Sequence, residues 1–162
     1  MGPQGPTVNK LDASGRIALR EQHLDELEES VVLTQGFNGN LVMMAPAQWP
    51  DMMQEFAAKS PLDPDMNDLR RIFIGGATEV EIDDRGRIKI PEALRSAAGL
   101  KPGESRTMLL NMGSTWEIWE EQHYLEYTRT QHQHLKELAR MRFGSLAVGP
   151  GGTEATSEAG VQ

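Results

Sequence analysis

Apolar and polar residues alternate on both sides of a short polar stretch near the start of the chain, and the same arrangement returns in its middle. Val8, Ile17 and Leu19 flank Asp12-Ala13-Ser14-Gly15-Arg16, and Val80, Ile82, Ile88 and Ile90 flank Asp83-Asp84-Arg85-Gly86-Arg87. A period of two predicts half-buried strands with one apolar and one charged face. The polar stretch between them predicts a hairpin with a short turn. Gly15 and Gly86 suit a turn position at positive φ, and Asp12 and Asp83 can accept hydrogen bonds from turn amides. Each arginine that follows a glycine, Arg16 and Arg87, then leaves the turn from a rigid stem.

A second strand pair follows each hairpin. Val31-Val32-Leu33-Thr34 precedes Leu41-Val42-Met43-Met44, and Thr107-Met108-Leu109-Leu110 precedes Trp116-Glu117-Ile118-Trp119, each pair joined by a glycine-containing loop. Residues 21–27 and 92–98 bridge the hairpins as one or two helical turns. After the first copy, Trp49, Met52, Met53 and Phe56 recur at helical spacing. Asp63-Pro64 reads as an N-cap with proline at the first helical position, and Leu69, Ile72 and Phe73 form an apolar stripe closed by Gly75-Gly76. After the second copy, a helix over residues 121–143 starts with acids and ends with Lys136, Arg140 and Arg142, which suits the helix dipole. The Gly/Pro leader, residues 1–7, is expected to be flexible, and residues 144–162, with almost no core formers, to be disordered.

The copies form an internal repeat. Asp, Gly, Arg and Ile recur 71 residues apart, and the second strand pairs 75 apart, with Lys101-Pro102-Gly103-Glu104 taking up the difference. A repeat fixes architecture before any single motif does. It predicts an α+β chain of two small β modules with flanking helices, each module presenting one arginine beside a glycine turn.

Composition narrows the function. The 162 residues suffice for a real core and include no cysteine, so neither a disulfide framework nor a thiolate metal site is expected. No apolar run approaches the roughly 18 residues of a membrane span, and the first residues are neither apolar nor basic, as a signal peptide would be. A soluble cytoplasmic protein is expected. The net charge of −8 argues against nucleic acid, but its distribution argues for it. Lys10, Arg16 and Arg20 face only Asp12, whereas from residue 21 to residue 68 ten acids meet the single Lys59. The repeated segments are basic islands, and a protein that touches DNA through one edge needs only that edge positive. Lys10, Arg16, Arg20, Arg85, Arg87 and Lys89 are the cations these islands offer to a duplex, arginine suiting both base edges and phosphates. The structural alternative is that Arg16 and Arg87 pair with Asp12 and Asp83 and only tighten the turns.

The remaining chemistry is sparse. His132 and His134 lie two apart, on different faces of a helix, so no metal is expected there. His23 and His123 read as surface or interface residues. Trp116 and Trp119 fall on opposite faces of a strand, one packing inside and the other available to a neighbouring subunit. No nucleophile-elbow, phosphate-loop or zinc-protease motif occurs, so no enzyme activity, cofactor or small-molecule substrate is expected.

With both Asp-x-x-x-Arg motifs in hand, the chain resembles the MraZ family of bacterial transcriptional regulators, built from tandem AbrB/SpoVT-type modules. The matching pieces include Leu11-Asp12-Ala13-Ser14-Gly15-Arg16-Ile17, Val31-Val32-Leu33-Thr34-Gln35-Gly36, Ile74-Gly75-Gly76-Ala77, Ile82-Asp83-Asp84-Arg85-Gly86-Arg87-Ile88-Lys89-Ile90-Pro91 and Glu117-Ile118-Trp119. The resemblance implies swapped-hairpin modules at residues 8–46 and 77–120, forming a small barrel, with helices over 47–76 and 121–143. It implies ring-shaped homo-oligomers on repeated boxes in double-stranded promoter DNA of the division and cell-wall gene cluster, with Arg16 and Arg87 toward the DNA, in cytoplasm and nucleoid. The family usually has a proline shortly after the arginine strand in both copies; here Pro91 stands in the second and Arg20 in the first. The family's aromatic near the start is replaced by Gly2-Pro3-Gln4-Gly5-Pro6. The rival readings are a protein-interaction scaffold and an AbrB-type antitoxin-like module.

Overall fold

A computed structural model describes residue 3 and residues 5–144. The expected disordered tail beyond Gly144, and half of the six residues before the first strand, lie outside them. The chain runs β1 (Thr7–Lys10), β2 (Arg16–Ala18), α1 (Glu21–Leu24), β3 (Ser30–Gln35), β4 (Leu41–Met44), a 3-10 turn (Pro46–Gln48), α2 (Trp49–Ala57), α3 (Pro64–Phe73), β5 (Thr78–Glu81), β6 (Arg87–Lys89), α4 (Glu92–Ala97), β7 (Arg106–Asn111), β8 (Trp116–Glu120) and α5 (Glu121–Phe143). It divides into one unit through Glu121 and a second from Gln122 onward.

The first unit carries a mixed α+β fold. Six strands form an antiparallel sheet in the order β1-β7-β8-β4-β3-β5, and β2 pairs antiparallel with β6 in a separate two-stranded ribbon. Reading the order from either end gives the same succession of repeat positions with the two copies exchanged. The first strand of each copy therefore pairs with the third strand of the other: Val8 faces Met108, and Val80 faces Val31.

Two expectations are corrected here. The six-stranded sheet ends at β1 and β5 and does not close into a barrel. The three-residue strands β2 and β6 pair with one another and form no ladder with either edge strand of that sheet. The strands flanking each glycine turn also do not run on as a paired hairpin. β1 leaves for β7 while β2 leaves for β6, and in the second copy only Ile82 and Ile88 bridge the two arms. Exchange lets both copies bury their apolar faces in one shared core, where each alone would have a small and marginal one.

That core follows the period of two. Leu33 faces Met43, Met43 faces Trp116, and Ile118 faces both Leu41 and Leu109, all on one side of the sheet and all buried. Ile17 and Ile88 face each other on the ribbon and close the same cluster together with Leu11, Leu19 and Ile90. Each such side chain contributes about 1.5–3 kcal/mol when fully buried. The two tryptophans differ from expectation, since both Trp116 and Trp119 are buried and neither is left bare for a neighbour.

The other face of β3 and β4 carries a second cluster. Val32 and Met44 pack with Phe73, and Trp49, Met52, Met53 and Phe56 of α2 cover them. Phe73 stacks on Trp49 at 5.8 Å and on Phe56 at 5.3 Å between ring centres. The N-cap read from the sequence forms: the Asp63 carboxylate accepts from the Asp65 and Met66 amides, with Pro64 at the first helical position. In the second unit, α5 carries Arg140 and Arg142 in its last turn, and Leu135, Leu138 and Met141 are exposed on it. Among the described residues no helix is long and apolar enough to cross a membrane.

Candidate nucleic-acid interface

Both turns have the same backbone. Asp12 N–H donates to Arg16 C=O and Gly15 N–H to Asp12 C=O; Asp83, Arg87 and Gly86 repeat the pattern. Gly15 at φ +82° and Gly86 at φ +74° occupy the left-handed position that ends a three-residue hairpin loop, where glycine carries no steric penalty. Asp12 Oδ1 accepts the Ser14 and Arg16 amides and the Ser14 hydroxyl, and Asp83 Oδ1 accepts the Arg85 and Arg87 amides. These hydrogen bonds lower both carboxyls below their ordinary value. The Ser14 hydroxyl is the largest cause at Asp12 and the Arg87 amide the largest at Asp83.

The remaining oxygens hold the arginines. Arg87 Nε lies 3.2 Å from Asp83 Oδ2, Arg87 Nη1 3.2 Å from Asp12 Oδ2, and Arg16 Nε 3.8 Å from Asp83 Oδ2. The turns thus meet, and their two guanidiniums and two carboxylates form one quartet of no net charge, each side chain about one-third exposed. Arg16 pairs with the aspartate of the other repeat, whereas Arg87 takes both. Two main-chain bonds lock the turns reciprocally, Leu19 N–H to Gly86 C=O at 2.8 Å and Ile90 N–H to Gly15 C=O at 2.9 Å.

The ribbon sets the direction of the basic side chains. Ile17 and Ile88 point into the core, so their neighbours point away from it. Arg16 lies opposite Lys89, and Ala18 opposite Arg87, on that outer face. Lys89 is exposed, as are Arg85 at the tip of the second turn, Lys10 at the end of β1 and Arg20 before α1. The structure therefore joins Arg16, Arg87 and Lys89 on one surface with Asp12 and Asp83. Among the described residues, no hydrogen bond or ion pair ties the cationic groups of Lys10, Arg20 or Arg85 to the quartet; Arg85 reaches it only through its amide, which donates to Asp83 Oδ1.

Two residues were not read as part of this region from sequence. His23 is buried, not a surface or interface residue, and occupies in the first repeat the position of Leu94 in the second. Its Nδ1 accepts the Arg20 amide at 3.1 Å, an amide that Pro91 lacks in the second repeat. Burial first, and then the neighbouring Arg20 charge, push its pKa below the ordinary value. Arg95 on α4 places its guanidinium against Gly15 of the first turn; its counterpart against Gly86 is Leu24. The signal available in the sequence was the mismatch of Leu24 and Arg95 at the repeat offset.

Acids border the site. Glu28, Glu29, Glu79, Glu81, Asp83 and Asp84 line a groove of about 780 Å³ that reaches Gly86. Among the described residues no cluster of histidine or acidic side chains is arranged to hold a metal ion. A two-stranded ribbon with outward arginines fits the width of a DNA major groove, and a guanidinium can fork onto guanine or grip a phosphate.

Comparison with known proteins agrees with this architecture. The MraZ protein family, antitoxin-like by its description, matches twice in tandem, over residues 4–72 and 73–144. The transcriptional regulator MraZ of Solidesulfovibrio magneticus is 34% identical over 131 residues, covering 78% of this chain and 84% of its own. The proteins of the same name from Cupriavidus pinatubonensis and Burkholderia vietnamiensis are 36% and 37% identical, covering 72% and 75% of this chain and 81% and 84% of theirs. A solution structure of PHS018 from Pyrococcus horikoshii, at 14% identity and a TM-score of 0.30, covers 73% of this chain and 89% of its own, a likeness too weak to carry an argument. The repeated glycine turns, the strand exchange that joins them and this pair of tandem matches make the chain a member of the MraZ family.

Proposed function

We infer that this chain is a sequence-specific DNA-binding transcriptional regulator that lays the β2–β6 ribbon into the major groove. The observation that carries the reading is the outward row of Arg16, Lys89 and Arg87, backed by Ile17 and Ile88 in the core. Arg16 and Arg87 read base edges, each bidentate contact giving about 1–3 kcal/mol of discrimination. Lys10, Arg20, Arg85 and Lys89 contact phosphates and set the register. In the free protein Asp12 and Asp83 hold the two guanidiniums extended; on DNA, base or phosphate acceptors compete for the same N–H groups. The acidic groove beside the second turn repels phosphates and confines contact to the ribbon.

The strand exchange supports swapped-hairpin modules of the AbrB/SpoVT type, at residues 8–46 and 77–120. One chain offers few base contacts, so useful affinity comes from a ring-shaped homo-oligomer on repeated promoter boxes, those of the division and cell-wall gene cluster. Linked sites raise avidity by about 10²–10⁴. The protein acts in the cytoplasm, at the nucleoid. The relatives' name, transcriptional regulator, supports the same reading.

The test is a gel shift of the full chain on DNA upstream of its own gene, wild type beside Arg16→Ala and Arg87→Ala, across a salt series. Binding that falls with salt, and falls further in each variant, is expected, because neutralised phosphates release counterions. Binding indifferent to salt and to both substitutions would replace this reading with that of a protein-interaction scaffold.

A further inference from the structure

The two turns are built alike but backed by different chemistry. A Cβ placed on Gly15 would collide with Arg95 Nη1 and lie 3.0 Å from its Cζ, so the guanidinium packs directly against the glycine with Nη1 nearest. A Cβ on Gly86 would meet Leu24 Cδ1 at 3.1 Å. Arg95 and Leu24 occupy the same position in the two repeats, and each reaches the turn of the other repeat. Only the first turn is therefore backed by a hydrogen-bonding cation.

Arg95 is also tied to the chain at that point. Its Nη1 donates to Ile90 C=O at 2.5 Å, and Ile90 N–H donates to Gly15 C=O at 2.9 Å. One peptide segment thus links the guanidinium to the turn it covers. Arg95 has no ion pair among the described residues, and it is half-buried. Arg16, by contrast, has a single distant carboxylate contact at 3.8 Å, where Arg87 has two at 3.2 Å. The turn whose arginine is held less tightly by aspartate is the one clamped from behind.

We propose that Arg95 is a positioning residue for the first repeat: by bridging Ile90 and roofing Gly15 it fixes the turn from which Arg16 is presented, so the two arginine turns are functionally unequal. The proposal rests on the DNA-binding reading for its consequence, but its structural half can be read without DNA. Arg95→Leu is the informative variant, because the fold already accepts leucine at the matching position against Gly86.

The experiment measures amide hydrogen exchange on the full chain and DNA binding in a two-by-two cycle of Arg95→Leu and Arg16→Ala. With the global melting temperature of each variant measured alongside, Ile90 N–H protection in Arg95→Leu is expected to fall about tenfold, as in local opening, while Leu19 N–H, which bonds Gly86, is unchanged. Affinity is expected to fall about tenfold in the wild-type background and hardly at all when Arg16 is already alanine, the signature of a coupled pair. Unchanged Ile90 protection overturns the proposal. So does an affinity loss that persists in the Arg16→Ala background, which would make Arg95 a direct phosphate contact. Wild-type protein that fails to bind DNA sinks the proposed function, while the exchange data still decide whether Arg95 holds the turn.

Discussion

Arg87 Nη1 lies 3.2 Å from Asp12 Oδ2, a carboxylate 75 residues earlier in the chain and in the other repeat. The contact joins the two turns through side chains just where Leu19–Gly86 and Ile90–Gly15 join them through the main chain. It makes the ion-pair and DNA-contact readings of the arginines compatible. In the free protein the guanidiniums are aligned by aspartates, and alignment of the same groups is what a bidentate base contact requires.

The quartet is asymmetric, so its members differ in stability. Arg87 makes two close pairs and Arg16 one at 3.8 Å. Partly exposed pairs are weak individually. Arg87→Ala is expected to lower the melting temperature by about 2–4 °C, and Arg16→Ala by less than half as much, in thermal melts followed by circular dichroism.

Removing a quartet acid frees its cations. Asp12→Asn and Asp83→Asn keep the Oδ1 acceptor that orders the turn but discard the charge. Promoter DNA affinity is expected to rise several-fold at low salt and less at high salt, as measured by fluorescence anisotropy. Because both folded-state carboxyl values are lowered from 3.8, the unfolded chain takes up protons first as pH falls. The stability these groups contribute is present above 3.8 and is lost as pH drops through their folded values. The asparagine variants should show a shallower acid limb in denaturant titrations.

His23 imposes a second pH dependence at milder acidity. Its folded value is lowered from 6.5, so stability is full above 6.5 and declines as pH falls from there through the folded value, where protonation costs Nδ1 its acceptor role toward the Arg20 amide. His23→Leu, which copies Leu94, is expected to lose about 1 kcal/mol at neutral pH through that hydrogen bond and to flatten the slope just below 6.5. Urea midpoints at a series of pH values check both.

Phe73 anchors α2 and α3 to the sheet. It stacks on Trp49 and Phe56, its carbonyl accepts the buried Thr34 hydroxyl, and it packs on Val32 and Met44. Phe73→Ala is expected to cost about 3–5 kcal/mol in chemical denaturation. Reciprocal main-chain bonds at the two turns lie outside this cluster, so the folded fraction of the variant should keep the protection of Leu19 and Ile90 amides.

Local chemistry was legible along the chain. Glycine at a positive-φ turn, aspartate at its entrance, the Asp63-Pro64 helix start and the alternation that puts Ile17 and Ile88 inward each depend on neighbours within a few residues. Partners were not legible, because a period of two states which face a strand buries and leaves open the strand it pairs with. That β1 goes to β7 and β5 to β3 and that the sheet stays open were decided by burying both repeats in one core. The same exchange aligned Arg16 with Asp83, set Arg87 between two aspartates and brought Arg95 over Gly15. The sequence by itself determined two turns of one pattern, aspartate, glycine and arginine at the same spacing. Only the tertiary structure made them one site, because contacts across 67 to 80 residues of chain, from Arg16–Asp83 to Arg95–Gly15, exist once the two halves share a core and not before.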